Sequence, residues 1–234
     1  MRTILVTGGS SGIGLALVKG FLSKGDRVIN IDINTPEEKI MGEYHFVYAD
    51  LRKLETLDKV FIEARSHTKR IDVFIHCAVS PLSVKFTELT YEDFNEVLTV
   101  NLTSGVFLAK QFVEQFYGEH GRIVWLSSTR AFMSEKETTL YSLTKGAIQG
   151  LTHSLAYTLS DKRITVNAIA PGWIHTTKEK LREVDHRFHP SGRVGNVEDI
   201  VKAAFYITDE NNDFYNGQTL IVDGGVTKKM IYPE

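Results

Sequence analysis

Tyr141 and Lys145 have the residue types and the spacing of a proton-transfer pair. They stand four residues apart at the start of a segment with helical periodicity, so both side chains project from one helix face. A tyrosine with a pKa of about 10 is a poor base near neutral pH, and a nearby ammonium group lowers that pKa. Ser128 ends an earlier apolar segment and could hold a substrate carbonyl or hydroxyl against the tyrosine. The three residues predict proton exchange with a substrate oxygen; the alternatives are a solvated helix face for the pair and a turn or helix cap for the serine.

A glycine-rich segment near the start of the sequence has the composition of a phosphate-binding turn. An apolar strand pattern runs into Thr7-Gly8-Gly9-Ser10-Ser11-Gly12-Ile13-Gly14, and a helical pattern follows at once. Such a turn presents backbone N–H groups and the positive end of the helix dipole to a pyrophosphate. The alternative is a plain strand-to-helix turn, because an isolated glycine motif is weak evidence. The predicted dinucleotide contacts here are Gly8, Ser10, Ser11, Gly12, Ile13 and Gly14.

Asp32 follows the next strand pattern and bears on the choice of dinucleotide. A carboxylate at this position can accept hydrogen bonds from the adenosine ribose hydroxyls and would repel a 2′-phosphate. The next residues are Ile33 and Asn34, so no cation follows directly. This favours NAD over NADP as the cofactor, with an acidic turn residue as the alternative for Asp32.

Composition excludes several classes of protein. The chain has 234 residues and a net charge of -2, which gives no general attraction for nucleic acid or anionic lipid. Its single cysteine, Cys77, excludes an internal disulfide, and the apolar run at residues 4–6 is too short for a signal-peptide core. Since no apolar stretch approaches the roughly 18 residues of a membrane span, we expect a cytoplasmic protein.

Short β-branched runs alternate with longer segments of helical periodicity, which is typical of βαβ units. We expect a single α/β domain over residues 1–234: a Rossmann-type, doubly wound, seven-stranded parallel sheet with helices on both faces. The stretch from His175 to Gly192 is polar and lacks a strand pattern, so residues 176–192 are a candidate substrate lid. The predicted strands are Thr3–Thr7, Arg27–Ile31, His45–Tyr48, Ile71–Cys77, Arg122–Leu126, Thr165–Ile169 and Thr219–Val222, and the predicted helices are Ile13–Ser23, Leu54–Ser66, Tyr91–Tyr117, Tyr141–Leu159 and Val197–Thr208.

The motifs together resemble the short-chain dehydrogenase/reductase family, and the resemblance covers nearly the whole chain. Each motif alone is modest evidence, whereas all of them in family order and near family spacing are strong evidence. The matching segments are Thr7 to Gly14, Asp32, Asp50-Leu51, Asn101, Ser127-Ser128, Tyr141 to Lys145, Asn167, Pro171-Gly172 through Thr176, and Gly217-Gln218 through Gly225.

The resemblance implies roles for these residues. Tyr141 would be the general acid or base, Lys145 would lower its pKa and hold the nicotinamide ribose, and Ser128 would orient the reacting oxygen. Asn101 resembles the asparagine whose backbone holds a water linked to the lysine; a buried polar residue mending a helix irregularity is the alternative. Asp50 resembles the aspartate that contacts adenine, although a helix cap explains it almost as well. The further cofactor contacts implied are Leu51, Ala78, Pro171, Gly172, Ile174 and Thr176.

One segment departs from the family pattern. The family usually has Asn-Asn-Ala-Gly where this chain has His76-Cys77-Ala78-Val79, so only the alanine is shared. Val79 adds bulk where a glycine lets the backbone pass the cofactor, and we expect a shifted loop or weaker cofactor binding. Cys77 is interpreted as an inert buried thiol and His76 as a packed strand residue.

Other polar residues are given ordinary roles. In the lid, His186 and His189 are interpreted as surface residues and not metal ligands, since no further ligands accompany them; no metal site is predicted. Arg130 is interpreted as a solvated loop residue, although it could meet an anionic substrate.

The predicted function is an NAD(H)-dependent oxidoreductase that interconverts a secondary alcohol and a ketone, the substrate being a small alcohol, polyol, sugar or oxo compound. The alternatives are an NADPH-dependent oxoacyl-type reductase and a non-catalytic NAD-binding regulator. The regulator is supported only by the altered sequence at residues 76–79. The resemblance also implies a homotetramer or homodimer, formed through the outer faces of the two long helices and the strand near Leu220.

Overall fold

The fold is a three-layer α/β structure around one parallel sheet. A computed structural model describes residues 1–80 and 82–230. Seven strands form the sheet in the order β3-β2-β1-β4-β5-β6-β9, all parallel, and β7 and β8 form a separate short pair. This confirms the predicted fold class. The strands are β1 (Thr3–Thr7), β2 (Arg27–Asp32), β3 (Tyr44–Tyr48), β4 (Val73–His76), β5 (Gly121–Leu126), β6 (Ile164–Pro171), β7 (Ile174–His175), β8 (Gly195–Asn196) and β9 (Thr219–Val222).

Helices cover both faces of the sheet. Capping boxes begin two of them: Thr90 with Asp93 before α3, and Asn196 with Asp199 before α7. The helices are α1 (Gly12–Ser23), α2 (Leu57–Ser66), α3 (Tyr91–Leu98), α4 (Ser104–Gln115), α5 (Thr139–Thr158), α6 (Glu183–Arg187) and α7 (Val197–Thr208).

The core is divided by the sheet into two apolar clusters. Successive strand residues point to opposite faces, so Leu5 of β1 packs in one cluster while its neighbours Ile4 and Val6 pack in the other. The cluster that contains Leu5 receives α2, α4 and α5, through residues such as Phe112. The opposite cluster receives α1 and α7, through residues such as Phe21. Because both faces are covered, the central strands carry consecutive buried apolar residues, as in Val73-Phe74-Ile75 of β4.

The helix predicted over Tyr91–Tyr117 is interrupted, and that prediction is wrong in this respect. The α3 and α4 helices are joined by a π-helical turn, Thr99–Thr103, in which the N–H of Ser104 bonds to the carbonyl of Thr99. The chain also leaves the helix earlier than predicted, at Gln115. One extra residue per turn does not disturb the apolar periodicity enough to be visible in the sequence.

The predicted lid segment contains structure of its own. Helix α6 lies within residues 176–192, and β7 and β8 flank the segment, pairing Ile174 with Gly195 and His175 with Asn196. The expectation that the stretch from His175 lacks a strand is therefore wrong at its first residue, since a two-residue strand leaves no pattern in the sequence.

Within residues 1–80 and 82–230, none of the helices combines the length and the apolar character needed to cross a membrane.

Two adjacent residues of α2 provide a test of how this core is packed. Phe61 is 6% exposed in the core, whereas Ile62 is 69% exposed. Phe61→Ala should lower the free energy of unfolding by about 3–5 kcal/mol, because it removes a buried ring and leaves a cavity. Ile62→Ala should change it by about 0.5 kcal/mol or less. Chemical denaturation of both variants measures the difference, and equal losses would contradict the packing described here.

Candidate active site

The carboxyl ends of the strands open into one cavity of about 690 Å³. The loops that follow parallel strands all begin at this edge of the sheet, which is where open α/β sheets bind ligands. Ser10, Asn101 and Ile174 stand behind the wall of the cavity. The other predicted site residues line it: Gly8, Ser11, Gly12, Ile13, Gly14, Asp32, Asp50, Leu51, Ala78, Ser128, Tyr141, Lys145, Pro171, Gly172 and Thr176.

The glycine-rich turn leaves room for a ligand only because side chains are missing. A Cβ on Gly14 would lie 1.9 Å from the carbonyl oxygen of Gly8, and a Cβ on Gly8 would lie 2.7 Å from Cα of Ala78. Gly8 and Gly12 have φ values of +72° and +52°, which L side chains rarely adopt. Among the described residues, no side chain caps α1 at Ser11. The first N–H groups of α1 therefore face the cavity as an anion-binding set.

Asp32 braces the same turn. Its Oδ2 accepts a hydrogen bond from the N–H of Ser10 at 2.9 Å, and its Oδ1 accepts one from the N–H of Asn34 at 3.0 Å. The Ser10 hydroxyl donates to the carbonyl of Asn34. Ser10 thus shapes the turn from behind, and the Asp32 carboxylate is held at the cavity wall.

Asp50 is paired with a cation that sequence reasoning missed. Its carboxylate accepts from Nε and Nη2 of Arg52, both at 2.9 Å, and from the backbone N–H of Arg52 at 3.1 Å. These hydrogen bonds lower the pKa of Asp50. In the helical turn that follows, Leu54–Thr56, Lys53 occupies the N-cap position, so Asp50 is not its cap. Arg52 and Glu96 also line the cavity, and the Asp-x-Arg spacing was the one signal that could have indicated the pair.

Ser128, Tyr141 and Lys145 meet at the other end of the cavity. Ser128 lies two residues after the end of β5 and accepts a hydrogen bond from the N–H of Arg130 at 3.2 Å. Lys145 is only 3% exposed; its Nζ donates to the carbonyl of Leu126 at 2.6 Å and lies 5.4 Å from the ring centre of Tyr141. The α5 helix thus presents both side chains to the end of β5, as their spacing predicts.

Burial dominates the ionisation of this pair. It lowers the pKa of Lys145 to about 8. It also raises the pKa of Tyr141, and a hydrogen bond with Ser128 opposes that rise only in part. The lowered Tyr141 pKa expected from the sequence is therefore absent, because desolvation of the phenolate outweighs the favourable contacts.

Asn101 connects three parts of the site from within the π-helical turn. The residue is fully buried; its Oδ1 accepts from the N–H of Ser80 at 2.7 Å, and its Nδ2 donates to Oγ1 of Thr144 at 3.1 Å. Thr144 in turn donates to the backbone carbonyl of Tyr141 at 2.9 Å. The side chain therefore ties the loop after β4 to the catalytic end of α5. Ser80 and Thr144 were not singled out from the sequence, which gives no sign of these contacts.

The segment at residues 76–79, whose sequence differs from the family pattern, contributes to the cavity wall. Cys77 lines the cavity, and burial raises its pKa to about 11, which keeps the thiol protonated at neutral pH. Ala78 packs against Gly8, and its N–H donates to Oγ1 of Thr7 at 3.3 Å. Val79 is 46% exposed and lines the cavity, and the atoms nearest to Gly8 belong to Ala78 and Cys77 instead.

The segment after β6 forms the remaining wall. The N–H of Gly172 donates to the carbonyl of Val222, and a Cβ on Gly172 would lie 2.7 Å from Cβ of Asp223. Thr176 approaches Gly12, since a Cβ on that glycine would lie 3.7 Å from Cγ2 of the threonine. Ile174 packs its side chain against the apolar cluster of α1 and α7.

The lid residues differ from their predicted surroundings in one respect. His189 is 3% exposed and its Nδ1 bonds to the carbonyl of Asp185 at 2.9 Å, so it is a buried residue and not a surface residue. In the part of the chain that the structure describes, no three His, Cys, Asp or Glu side chains converge as metal ligands. Arg130 forms an ion pair with Glu135.

Comparisons with known proteins agree with this geometry. A family profile described as enoyl-(acyl carrier protein) reductase matches residues 8–227. An uncharacterized oxidoreductase of Thermotoga maritima is 35% identical over 100% of this chain and 98% of its own length. A 3-oxoacyl-(acyl-carrier-protein) reductase, FabG, of Aquifex aeolicus is 31% identical over 96% of this chain and 97% of its own. The structure of 4-hydroxyisoleucine dehydrogenase complexed with NADH has a TM-score of 0.90 at 27% identity, covering 98% of this chain and 100% of that one.

The chain belongs to the short-chain dehydrogenase/reductase family. It is an oxidoreductase that interconverts CH–OH and ketone groups with NAD or NADP.

Adding one methyl group to the glycine-rich turn tests whether this turn binds the pyrophosphate of the cofactor. Gly14→Ala should weaken NADH binding by about tenfold or more, since its Cβ would push the Gly8 carbonyl out of place. The matched control is Gly150→Ala, where a Cβ meets no atom within 4 Å. Fluorescence titration with NADH compares the two, and undiminished binding by Gly14→Ala would contradict the assignment of the turn.

Proposed function

We propose that the protein is an NAD(H)-dependent oxidoreductase that interconverts a secondary alcohol and a ketone, with Tyr141 as general acid and base. The observation that carries the proposal is that Ser128, Tyr141 and Lys145 line the same cavity as the glycine-rich turn. A dinucleotide bound along this cavity would bring its reactive end to these three side chains, which are suited to proton transfer.

The residues present fit a dinucleotide along the whole cavity. The uncapped N-terminus of α1 and the missing Cβ atoms at Gly8, Gly12 and Gly14 would accommodate the pyrophosphate. Asp32 would hold the adenosine ribose. The adenine would rest on Asp50 and Leu51, and the nicotinamide half would be held by Ala78, Tyr141, Lys145, Pro171, Gly172, Ile174 and Thr176.

The protein's own part of the reaction is to move a proton and to orient the substrate. The nicotinamide, when bound, supplies or accepts the hydride. Tyr141 donates its phenolic proton to the substrate oxygen in reduction and takes it back in oxidation. Because burial raises its pKa, Tyr141 is protonated near neutral pH and ready to donate. Ser128, which interacts with Tyr141, orients the same oxygen.

Lys145 and Asn101 support that transfer. Since the pKa of Lys145 is about 8, the side chain is largely an ammonium at neutral pH and can stabilise negative charge that develops on the tyrosine. The hydrogen bonds from Asn101 through Thr144 to the Tyr141 carbonyl hold the first turn of α5 in place. Lys145 thus stabilises charge on Tyr141, and Asn101 holds Tyr141 in position.

The cofactor preference rests on Asp32. Its carboxylate stands at the cavity wall with Ile33 and Asn34 and would repel a 2′-phosphate. A reductase of oxoacyl groups that uses NADPH is the second candidate, favoured by the FabG relative and by Arg52 in the cavity wall. Arg52 is occupied by Asp50 and lies 4.0 Å from Glu96, so its charge is already balanced, which favours NAD.

The assembly we propose is a homotetramer or homodimer of single-domain subunits over residues 1–234, with residues 176–192 as the substrate lid. Exposed apolar side chains on the outer faces of α4 and α5, Phe107 at 48% and Leu143 at 43%, support an interface there. Light scattering of the purified protein distinguishes these assemblies from a monomer.

The test of the proposed function is an activity screen with NAD⁺ and NADH over secondary alcohols, polyols, sugars, oxo acids and oxoacyl thioesters. Turnover of at least one secondary alcohol or ketone is expected. Tight NADH binding without turnover in any class would favour the non-catalytic regulator instead.

Removal of one hydroxyl tests the proton donor. Tyr141→Phe should lower kcat by at least about 100-fold, the usual contribution of a general acid, while NADH binding is largely retained. Tyr157→Phe is the matched control, because Tyr157 lies on the same helix and is 85% exposed. Steady-state kinetics and fluorescence titration measure the two effects, and normal turnover by Tyr141→Phe would exclude the assigned role.

Removal of one charge tests the cofactor preference. Asp32→Asn should reduce the preference for NADH over NADPH by about 10- to 100-fold, because it removes the repulsion and weakens the ribose hydrogen bonds. Asp161→Asn is the control, because this exposed carboxylate lies outside the cavity lining and its removal should leave the ratio unchanged. Dissociation constants for the two cofactors give the ratio, and equal or tighter NADPH binding by the unmodified protein would contradict the role of Asp32.

A further inference from the structure

The end of β5 is joined to α5 by a series of hydrogen bonds that the proposed proton transfer does not use. Ser127 follows the last residue of β5 and is 3% exposed, and its hydroxyl donates to the backbone carbonyl of Lys145 at 2.9 Å. Oγ of Ser127 accepts from Nε2 of Gln149 at 3.0 Å. Oε1 of Gln149 accepts from the hydroxyl of Thr219, the first residue of β9, at 2.5 Å. The series thus runs from β9 through the Gln149 amide to the main chain of α5.

The acceptor at one end fixes the direction of every hydrogen bond in the series. The Lys145 carbonyl has no hydrogen to donate, so the single hydroxyl proton of Ser127 is used on it. Ser127 must then receive a hydrogen from Gln149, which places the amide nitrogen of Gln149 toward Ser127 and its oxygen toward Thr219. The orientation of the amide therefore follows from its partners, and Thr219 is the donor at the far end.

Gln149 connects two strands that do not pair with each other. In the sheet β6 lies between β5 and β9, and Thr219 pairs with Ala168 of β6. The N–H of Ser127 bonds to the carbonyl of Ile169, also on β6, at 2.7 Å. Because both partners of Gln149 are attached to the same strand, the amide is held by a part of the sheet that has one fixed geometry.

Lys145 is held by two consecutive residues at the end of β5. Its Nζ donates to the carbonyl of Leu126 at 2.6 Å, and its own carbonyl accepts from Ser127. The next residue, Ser128, lines the cavity together with Tyr141. Lys145 is thus fixed by both its side chain and its main chain beside the reacting groups. A displacement of α5 at this point would move Tyr141 relative to Ser128.

We propose that Gln149 is a positioning residue, whose amide directs the Ser127 hydroxyl onto the Lys145 carbonyl. This contact sets the place of the catalytic end of α5 relative to Ser128. Without the amide, the Ser127 hydroxyl is free to turn toward the cavity, which Ser127 also lines. The inference rests on the proposed function, since the side chains that Gln149 positions carry that function. Gln149 complements Asn101, which holds α5 from the side of the π-helical turn.

A double-mutant cycle tests whether Gln149 acts through Ser127. Gln149→Leu keeps a similar volume and removes both hydrogen bonds of the amide, and Ser127→Ala removes the hydroxyl that the amide directs. Each should lower kcat by about 10- to 100-fold with the Kd for NADH little changed, the effect of a slightly misplaced reacting group. The double variant should lose no more than Ser127→Ala alone, because no hydroxyl is left to direct. Losses that multiply, or unaltered kcat in Gln149→Leu, would overturn the inference.

Thr152→Val is the matched control for the loss of a buried hydrogen bond in the same helix. Thr152 is 1% exposed, and its hydroxyl donates to the carbonyl of Ile148 at 2.7 Å, outside the series that contains Gln149. This variant should lower the melting temperature about as far as Gln149→Leu does, but it should leave kcat unaltered. Equal kcat losses in the two variants at equal melting temperatures would show that kcat follows stability alone, which overturns the positioning role.

Hydrogen–deuterium exchange gives a reading that does not depend on turnover. In the protein without cofactor, the amides of residues 141–149 should exchange faster in Gln149→Leu and in Ser127→Ala than in the unmodified protein, because α5 is held less tightly to β5. The double variant should exchange no faster than Ser127→Ala. Unaltered exchange in both single variants would overturn the inference even if no substrate is found.

Tyr141→Phe, measured alongside, keeps the two proposals apart. If Tyr141→Phe remains active, the proposed function fails. If Tyr141→Phe is inactive and Gln149→Leu turns over as fast as the unmodified protein, only the inference about Gln149 is refuted.

Discussion

The parallel direction of the seven strands is the constraint on which the rest of the structure depends. Each strand leaves the sheet at the same edge, so segments that are far apart in sequence open into one cavity. The turn after β1 brings the N-terminus of α1, β2 brings Asp32, and β5 brings Ser128. A sheet covered on both faces is rigid, and the side chains at its edge inherit that rigidity.

Tyr141 and Lys145 come from a helix, α5, and not from a strand end, and α5 is anchored by hydrogen bonds of its own. Asn101, which lies in the π-helical turn, anchors α5 through its hydrogen bond to Thr144. The same amide fixes the loop after β4 through Ser80. The local irregularity of the helix is thus what connects the cofactor side of the cavity to the proton donor, in line with the frequent place of π-helical turns at functional sites.

Much of this could be predicted from the sequence, for physical reasons. Strands buried on both faces leave continuous apolar runs, and glycine is demanded wherever a Cβ would collide, as at Gly14. The residues around the cavity were accordingly predictable, and the sheet is confirmed. Features that depend on one hydrogen bond or on two residues could not be predicted from the sequence. These are the π-helical turn, the pair β7 and β8, and the ion pair of Asp50 with Arg52. The direction of the Tyr141 pKa was also missed, because desolvation depends on packing that no spacing reveals.

The central claim is that a nicotinamide and Tyr141 act side by side on one substrate carbonyl within this cavity. The most direct measurement uses NADH deuterated at C4 on one face or the other, with the ketone that turns over fastest, and locates the label in the product by mass spectrometry. A single bound geometry predicts that one of the two labelled cofactors gives a product with deuterium at the carbinol carbon and that the other gives an unlabelled product. Deuterated product from both cofactors, or from neither, would contradict the claim.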